Sequence, residues 1–473
     1  MPAPWRTPAS GSRAVSPVPA EGAIPSRHER QERGRALRAF VPRSVHADWT
    51  PGPDRPDPVQ ALVAQAATRV PELLPIRYGR MLASPFAFLR GSAAVMAIDL
   101  GTLPVTGITV QTSGDAHIAN FGEFATPERN VVFDLNDFDE TLPGPWEWDI
   151  KRLAASLAVV ARQLTFTPPQ AAEVVIDTVR SYRRHILRSA ALRVLDRWYM
   201  QIDADDVIAH FPAVYRPLVR RDLEKARSRN QHRAVTKLTE RVDGTRRFVE
   251  RPPLIVHLHR TEHDTDEVSG MLDSYRATVD DERRSLFDAF TLVDVARKVV
   301  GVGSVGTRCW VALFQGPDHA DGDFLVLQVK EAGPSVLEPY VGRSEFGHHG
   351  QRVVCGQRRI QAASDVFLGW CAGPQTGRDY YVRQLWDIKG QGDPLSMNPD
   401  TLARYGELCA RALARAHART GDPSLLAGYL GKSDQFDRAM AEFAHRYALQ
   451  TEADHAALTD AYKAGDIDAT PGI

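Results

Sequence analysis

The sequence predicts an α+β protein with two lobes, one mainly helical and one built on a β-sheet. Three observations carry this expectation. At 473 residues the chain is long enough for two to four domains of ordinary size. Its 43% hydrophobic and 25% charged residues match folded globular proteins rather than disordered ones. The apolar periodicity also changes along the chain: helical spacing dominates up to residue 290, strand-like runs fill 291–390, and helical spacing returns afterwards.

The elements follow in order. Residues 1–57 are rich in Pro, Ala, Ser, Gly and Arg without an apolar period, which predicts an irregular N-terminal arm. A helical lobe is expected over 58–290, with helical patterns at 86–100, 146–164 and 168–229 and strands at 108–111 and 131–135 flanking a Gly-containing loop. A β-rich lobe is expected over 291–390, with a helix near 348–364 and a strand at 380–385. Residues 391–473 should complete the helical lobe, beginning with a helix over 401–419 that stops at Gly421.

A net charge of −1 argues against a general nucleic-acid or anionic-membrane binder and leaves such binding to local patches. One candidate is 216–251, with a net charge of +7, although the near absence of interleaved aromatics favours a solvated basic face over nucleic acid. No apolar run approaches the roughly 18 residues of a membrane span. With no signal-peptide pattern either, the expected location is the cytoplasm. Cys309, Cys355, Cys371 and Cys409 are dispersed, as reduced thiols would be. Only 8 of the 58 basic residues are Lys, so a Lys at the end of a strand, such as Lys330, is informative.

Two constellations carry chemistry. The first is Gly114-Asp115-Ala116-His117-Ile118-Ala119-Asn120, followed by an acidic stretch with Asp134, Asn136, Asp137, Asp139 and Glu140. Oxygen donors of this kind suit a hard cation such as Mg2+, which is commonly held by one or two carboxylates together with substrate phosphates. Asp115 can face an acceptor hydroxyl while Asn120 and Asp137 reach a metal from either side, a division of labour that suits phosphoryl transfer. The second is Gly301-Val302-Gly303-Ser304-Val305-Gly306, which runs into a strand, a polar turn, and a further strand ending at Lys330. The third Gly opens a strand rather than a helix, against a Rossmann unit and in favour of a loop that covers phosphates beside a Lys that grips them.

The Gly-Asp-Ala-His-Ile-Ala-Asn segment resembles the catalytic loop of aminoglycoside and choline phosphotransferases, with Ser113 where that superfamily usually has His. Asn136-Asp137-Phe138-Asp139-Glu140 resembles their metal-binding strand, and Gly144 to Ile150 the segment after it. This resemblance implies a protein kinase-like fold that binds ATP and Mg2+. Asp115 would be the catalytic base, Asn120 and Asp137 would be metal ligands helped by Asp139, and Asp149 would be a structural carboxylate. Gly301, Gly303, Ser304, Gly306 and Lys330 would hold the nucleotide phosphates, and the backbone at Gln384 and Leu385 would meet the adenine. The helix that pairs with the Lys in such folds should supply a Glu, but the 348–364 pattern contains none, so the partner of Lys330 is left open.

The order of these motifs is inverted relative to ordinary kinases, because the Gly loop follows the acidic loop. A circular permutation would account for this, with the 401–419 helix being the one that would otherwise run straight into the acidic loop; the competing explanation is two unrelated domains, an acidic metal domain and a separate Gly-loop domain. Segments including Pro75 to Met81, Ser84 to Gly91 and 136–156 also resemble an uncharacterised bacterial family, the domain of unknown function 2252. Arg77, Arg80 and Arg90 are candidate anion contacts, although in so Arg-rich a chain surface charge is the more economical account. The expected activity is an ATP-dependent transfer to an unidentified small-molecule hydroxyl. The alternatives are a nucleotide-binding pseudokinase, a kinase-like protein that transfers AMP, and a metal-dependent phosphoester hydrolase that uses the acidic loop alone.

Overall fold

Buried charge marks the centre of the molecule. In the computed structural model, which describes residues 25–257, 262–317, 323–385 and 388–473, the helix Trp146–Gln163 buries sixteen consecutive residues, Trp146 to Ala161. Glu147, Asp149, Lys151 and Arg152 lie within that run, and charges so placed require partners. Apolar side chains from this helix, Pro168–Ala191, Pro399–Thr420 and Gln435–Ala464 form one large core. The mixed α+β architecture matches the expected class.

Four short strands present two loops side by side. β1 (Thr109–Thr112) pairs antiparallel with β4 (Leu142–Pro145), and β2 (Phe121–Ala125) pairs with β3 (Val131–Leu135). Thr112 sits opposite Leu142 and Phe121 opposite Leu135. This nesting brings residues 113–120 and 136–141 out at the same end. β5 (Thr239–Val242) and β6 (Thr245–Phe248) form a separate hairpin.

The second body is an antiparallel six-stranded sheet. It comprises β7 (Ile255–His257), β8 (Thr291–Lys298), β9 (Cys309–Gln315), β10 (Phe324–Ala332), β11 (Gly369–Ala372) and β12 (Asp379–Gln384), in the order β11-β12-β10-β9-β8-β7. One face packs on Met271, Tyr275, Val279 and Phe287, and the other on Val235, Leu238 and Phe248. The sheet therefore draws in chain from residue 231 onward, and the expected boundary at 291 falls too late. The polarity of 216–251 hid this, since the inward-facing apolar residues there are few.

Two further expectations change. Residues within the supposed irregular arm form the helix Arg27–Ala36, closed by a Ser26–Glu29 capping box. It packs on Pro423–Leu430, where a methyl group on Gly34 would lie 2.0 Å from the Leu425 carbonyl oxygen. Arg38 also donates to the Tyr429 and Gly428 carbonyls at 2.8 and 2.6 Å. Tertiary contact supports this helix, because its own sequence is polar on every side. The 86–100 pattern divides into Pro85–Gly91 and Ala93–Leu100 around Ser92. Among the described residues no helix is long and apolar enough to cross a membrane, and the four cysteines are free.

Candidate active site

The loop 113–120 is fixed from beneath by the buried central helix. Asp149 accepts the Ser113 amide at 2.8 Å and the Gly114 amide at 3.0 Å, and its Oδ2 lies 3.2 Å from His417 Nε2 on the helix Pro399–Thr420. The loop is thus anchored at position 113 through a backbone amide. Ser156, about two turns further along the same helix, accepts the Ile118 amide at 2.9 Å. Asn120 Nδ2 donates to the Asp115 carbonyl at 2.7 Å, which ties the loop to itself and leaves Asn120 Oδ1 for another partner.

Asp115 pairs with Arg152 Nε at 2.8 Å. Burial raises its pKa to about 6 against the pull of Arg152, and the nearby Asp137 carboxylate pushes the same way as burial. His117 Nε2 lies 3.8 Å from Asp115 Oδ2. Burial, together with the Arg90 and Arg152 cations, holds this imidazole well below its ordinary range and therefore neutral.

The Gly turn connects β8 to β9, and its ends are tied to the helical body. Val70 N donates to the Gly306 carbonyl at 2.7 Å, Arg69 Nη1 to the Val305 carbonyl at 2.5 Å, and Arg80 Nη1 to the Val300 carbonyl at 2.7 Å. Its tip reaches the acidic turn, where Ser304 Oγ donates to Asp139 Oδ2 at 3.1 Å.

Lys330 on β10 is 2% exposed and pairs with the same Asp139 oxygen, while the Tyr381 hydroxyl donates to the other at 2.8 Å. Burial alone would lower the Lys330 pKa, but the Asp137 and Asp139 carboxylates reverse this and hold it raised. Burial likewise opposes ionisation of Asp139, yet Lys330, Tyr381 and Arg383 keep its pKa lowered. The partner that the 348–364 helix could not supply is therefore Asp139. That helix, His349–Ile360, contributes Arg352 instead, which donates to the Asp139, Thr141 and Gly333 carbonyls at 2.7, 2.7 and 2.8 Å and binds the acidic turn to the exit of β10.

Two adjoining cavities result. The larger, of about 340 Å³, is lined by Asn120, Asp137, Gly301, Ser304, Lys330, Gln384 and Leu385 among others, so most of the expected site residues meet there. It is also lined by Arg90, Lys298, Arg383 and Lys389. The smaller, of about 30 Å³, contains Asp115, Asp137, Asp139, Glu140 and Gly303. Three of the chain's 8 Lys thus surround one cavity, and their scarcity was the one signal in the sequence that could have picked out Lys298 and Lys389. Burial lowers the pKa of both, that of Lys389 to about 8, with Arg383 adding repulsion there.

Three assignments need correction. Gly306 lines neither cavity; it is buried at a φ of +90°, where an added Cβ would meet the Arg69 side chain. Asp139, expected to help hold metal, is occupied by Lys330, Ser304 and Tyr381. The backbone at Gln384 and Leu385, expected to meet adenine, is already paired. Gln384 N donates to Asp365 at 2.5 Å and Leu385 N to the Val326 carbonyl at 2.9 Å, while Gln231 accepts from Val326 N at 2.9 Å and donates to the Leu385 carbonyl at 2.5 Å. Asp134 is also structural, buried against Arg415 at 2.5 Å.

Comparison with protein-family models matches residues 69–461 to a family described as an uncharacterized protein conserved in bacteria. The chain belongs to the DUF2252 family. The matched span covers both loops, the Gly turn, Lys330 and the helix Pro399–Thr420, so every part of the site lies inside the DUF2252 region. Searches of curated proteins and of solved structures give no match.

Proposed function

We propose that this DUF2252 protein is an ATP- and Mg2+-dependent phosphotransferase of kinase-like, circularly permuted architecture, acting on a hydroxyl group of a small molecule. The observation that carries the proposal is the meeting of Gly301, Ser304, Lys330, Asn120 and Asp137 around one cavity, with Asp115 in the pocket beside it. The five cationic side chains on the wall of the larger cavity face two carboxylates, Asp137 and Asp365, an excess suited to a polyphosphate. Among the described residues the Gly303 and Ser304 amides make no hydrogen bond within the protein, so both can donate to phosphate oxygens.

The donor set fits Mg2+ by its chemistry. Asp137 offers a carboxylate and Asn120 an Oδ1 that accepts no hydrogen bond among the described residues, a pair that leaves coordination positions for phosphate oxygens and water. Among the described residues no group of three or more His, Cys, Asp or Glu is placed to hold a metal ion by itself. When bound, the ion would neutralise charge on the phosphates. Lys330, fixed by Asp139, would orient toward the same phosphates. Asp115, with a pKa near 6, is ionised at neutral pH and suited to take the acceptor's proton.

Permutation gains support from the end of the helix Pro399–Thr420. Thr420 Oγ1 accepts the Gln111 amide on β1 at 3.2 Å, so the helix ends where the acidic segment begins although about 310 residues separate them. A hydrolase using the acidic loop alone would need Lys330 and Gly303 to lie far from Asp137, and their shared cavities count against it.

A thermal-shift series with ATP, ADP and AMP, each with and without Mg2+, tests the proposal, because a ligand that binds the native state raises its apparent stability. Stabilisation by Mg·ATP is expected, and a flat response to every nucleotide would overturn it. Gamma-labelled against alpha-labelled ATP then separates phosphoryl transfer from AMP transfer.

A further inference from the structure

The arginines around the two cavities are nearly all committed. Arg69 and Arg80 hold the Gly turn, Arg152 holds Asp115, Arg352 holds the acidic turn, and Arg383 donates to Gln328 Oε1 at 2.9 Å. Arg90 differs. Among the described residues its guanidinium has no hydrogen-bond partner, and its Nε is buried. Burying such a group without a partner is costly unless a ligand supplies one.

Its position identifies that ligand. Arg90, Asp137 and Ser304 are the residues that line both cavities, and so mark the junction between the space beside Lys330 and the pocket holding Asp115. The junction is held firmly. Arg90 lies in the last turn of the helix Pro85–Gly91, whose Leu89 carbonyl accepts Arg152 Nη2 at 2.6 Å, the same Arg152 that binds Asp115. The Phe86 ring lies 5.9 Å from the Arg90 guanidinium carbon, and a methyl group on Gly303 would sit 3.2 Å from the Arg90 carbonyl oxygen. A phosphoryl group crossing this point would face the Asp115 and Asp137 carboxylates. Lys330 is already hydrogen-bonded to Asp139, whereas Arg90, drawn toward the Asp115 and Asp137 carboxylates, donates no hydrogen bond among the described residues.

We infer that Arg90 grips the phosphoryl group in transit, donating from its planar fork to the γ-phosphate oxygens. The inference rests on the phosphotransferase proposal and adds to it a catalytic residue from outside the Gly turn and the Lys strand. In the step it serves, the acceptor oxygen bonds to the γ-phosphorus as the bond to the β,γ-bridging oxygen breaks. The hydroxyl proton passes to Asp115, and ADP leaves with the bonding pair.

The test compares affinities for Mg·ATP and Mg·ADP, which differ in the group that Arg90 would hold. Arg90→Ala should weaken Mg·ATP by about 10- to 100-fold and leave Mg·ADP unchanged. Arg90→Lys, which keeps the charge and loses the fork, should fall between. It also serves as the test if the Ala variant does not fold. Equal weakening of both nucleotides, or of neither, overturns the role of Arg90 while leaving nucleotide binding intact. Failure of the unmodified protein to bind either nucleotide overturns the phosphotransferase proposal, and this inference with it.

Discussion

The acidic loop and the Gly turn face each other across the same junction, yet they are held in opposite ways. Residues 113–120 are pinned from below, with backbone amides running into Asp149 and Ser156 on a helix buried on every side. The Gly turn is held from its ends, by Arg69, Arg80 and Val70, and at its tip by one hydroxyl contact from Ser304 to Asp139. A group that must aim at a reacting atom gains from the first arrangement, since small misplacements are costly in rate. A turn that must admit and release a ligand gains from the second, because weakly tethered segments open at low cost.

The sharpest break in this contrast is chemical. Asp115→Asn keeps the loop's shape but removes the base, so transfer should fall by roughly 10²- to 10⁴-fold while nucleotide-induced thermal shifts persist; unchanged turnover would remove Asp115 from its role. Next comes the anchor. Asp149→Ala leaves two amides and His417 without their shared partner inside the core, and denaturant titration should show a loss of about 3–5 kcal/mol. A loss below about 1 kcal/mol would mean that the loop is not held from beneath.

Acid titration separates the two sides by sign. The native pKa of Asp115, about 6, lies above the unfolded value of about 3.9. The native chain therefore binds the proton more tightly, and this group makes stability fall as pH rises from about 4 to 6, by at most about 1.4 kcal/mol per pH unit. Asp139, whose pKa is lowered, contributes stability that is present above about pH 4 and lost below it. Denaturation curves across pH 3–7 should flatten between 4 and 6 in Asp115→Asn and lose the acid-side decline in Asp139→Asn. The smallest effect is expected at the tip of the turn, where Ser304→Ala removes a single hydrogen bond worth about 1 kcal/mol. Hydrogen exchange there should quicken while that of 113–120 stays slow.

The parts of the fold that announced themselves had strong local signals. β3 falls on 131–135 as expected, Lys330 lies on its strand, and the helix Pro399–Thr420 ends at Gly421. β4 was missed because two of its four residues are Pro, which normally argues against a strand. β2 was missed because Gly122 and Glu123 interrupt its apolar character. At the site, residue type and spacing singled out Asp115, Asn120, Asp137 and Lys330, which the fold brings around two adjoining cavities. They could not reveal that Lys330 takes Asp139, a pairing across 191 residues, nor that Gln231 lies against Leu385. Those contacts depend on how the sheet sits on the helical body, which no local period encodes. Arg90 was one of three candidates, and what distinguishes it is that Arg77 and Arg80 have protein acceptors.

Gln231 has one more effect. By spanning Val326 and Leu385, its amide plugs the main-chain edge against which a purine would ordinarily be told apart from its analogues. On the proposed phosphotransferase reading, discrimination among bases would fall to side chains such as Gln384, and the site would count phosphates with more care than it reads the ring attached to them.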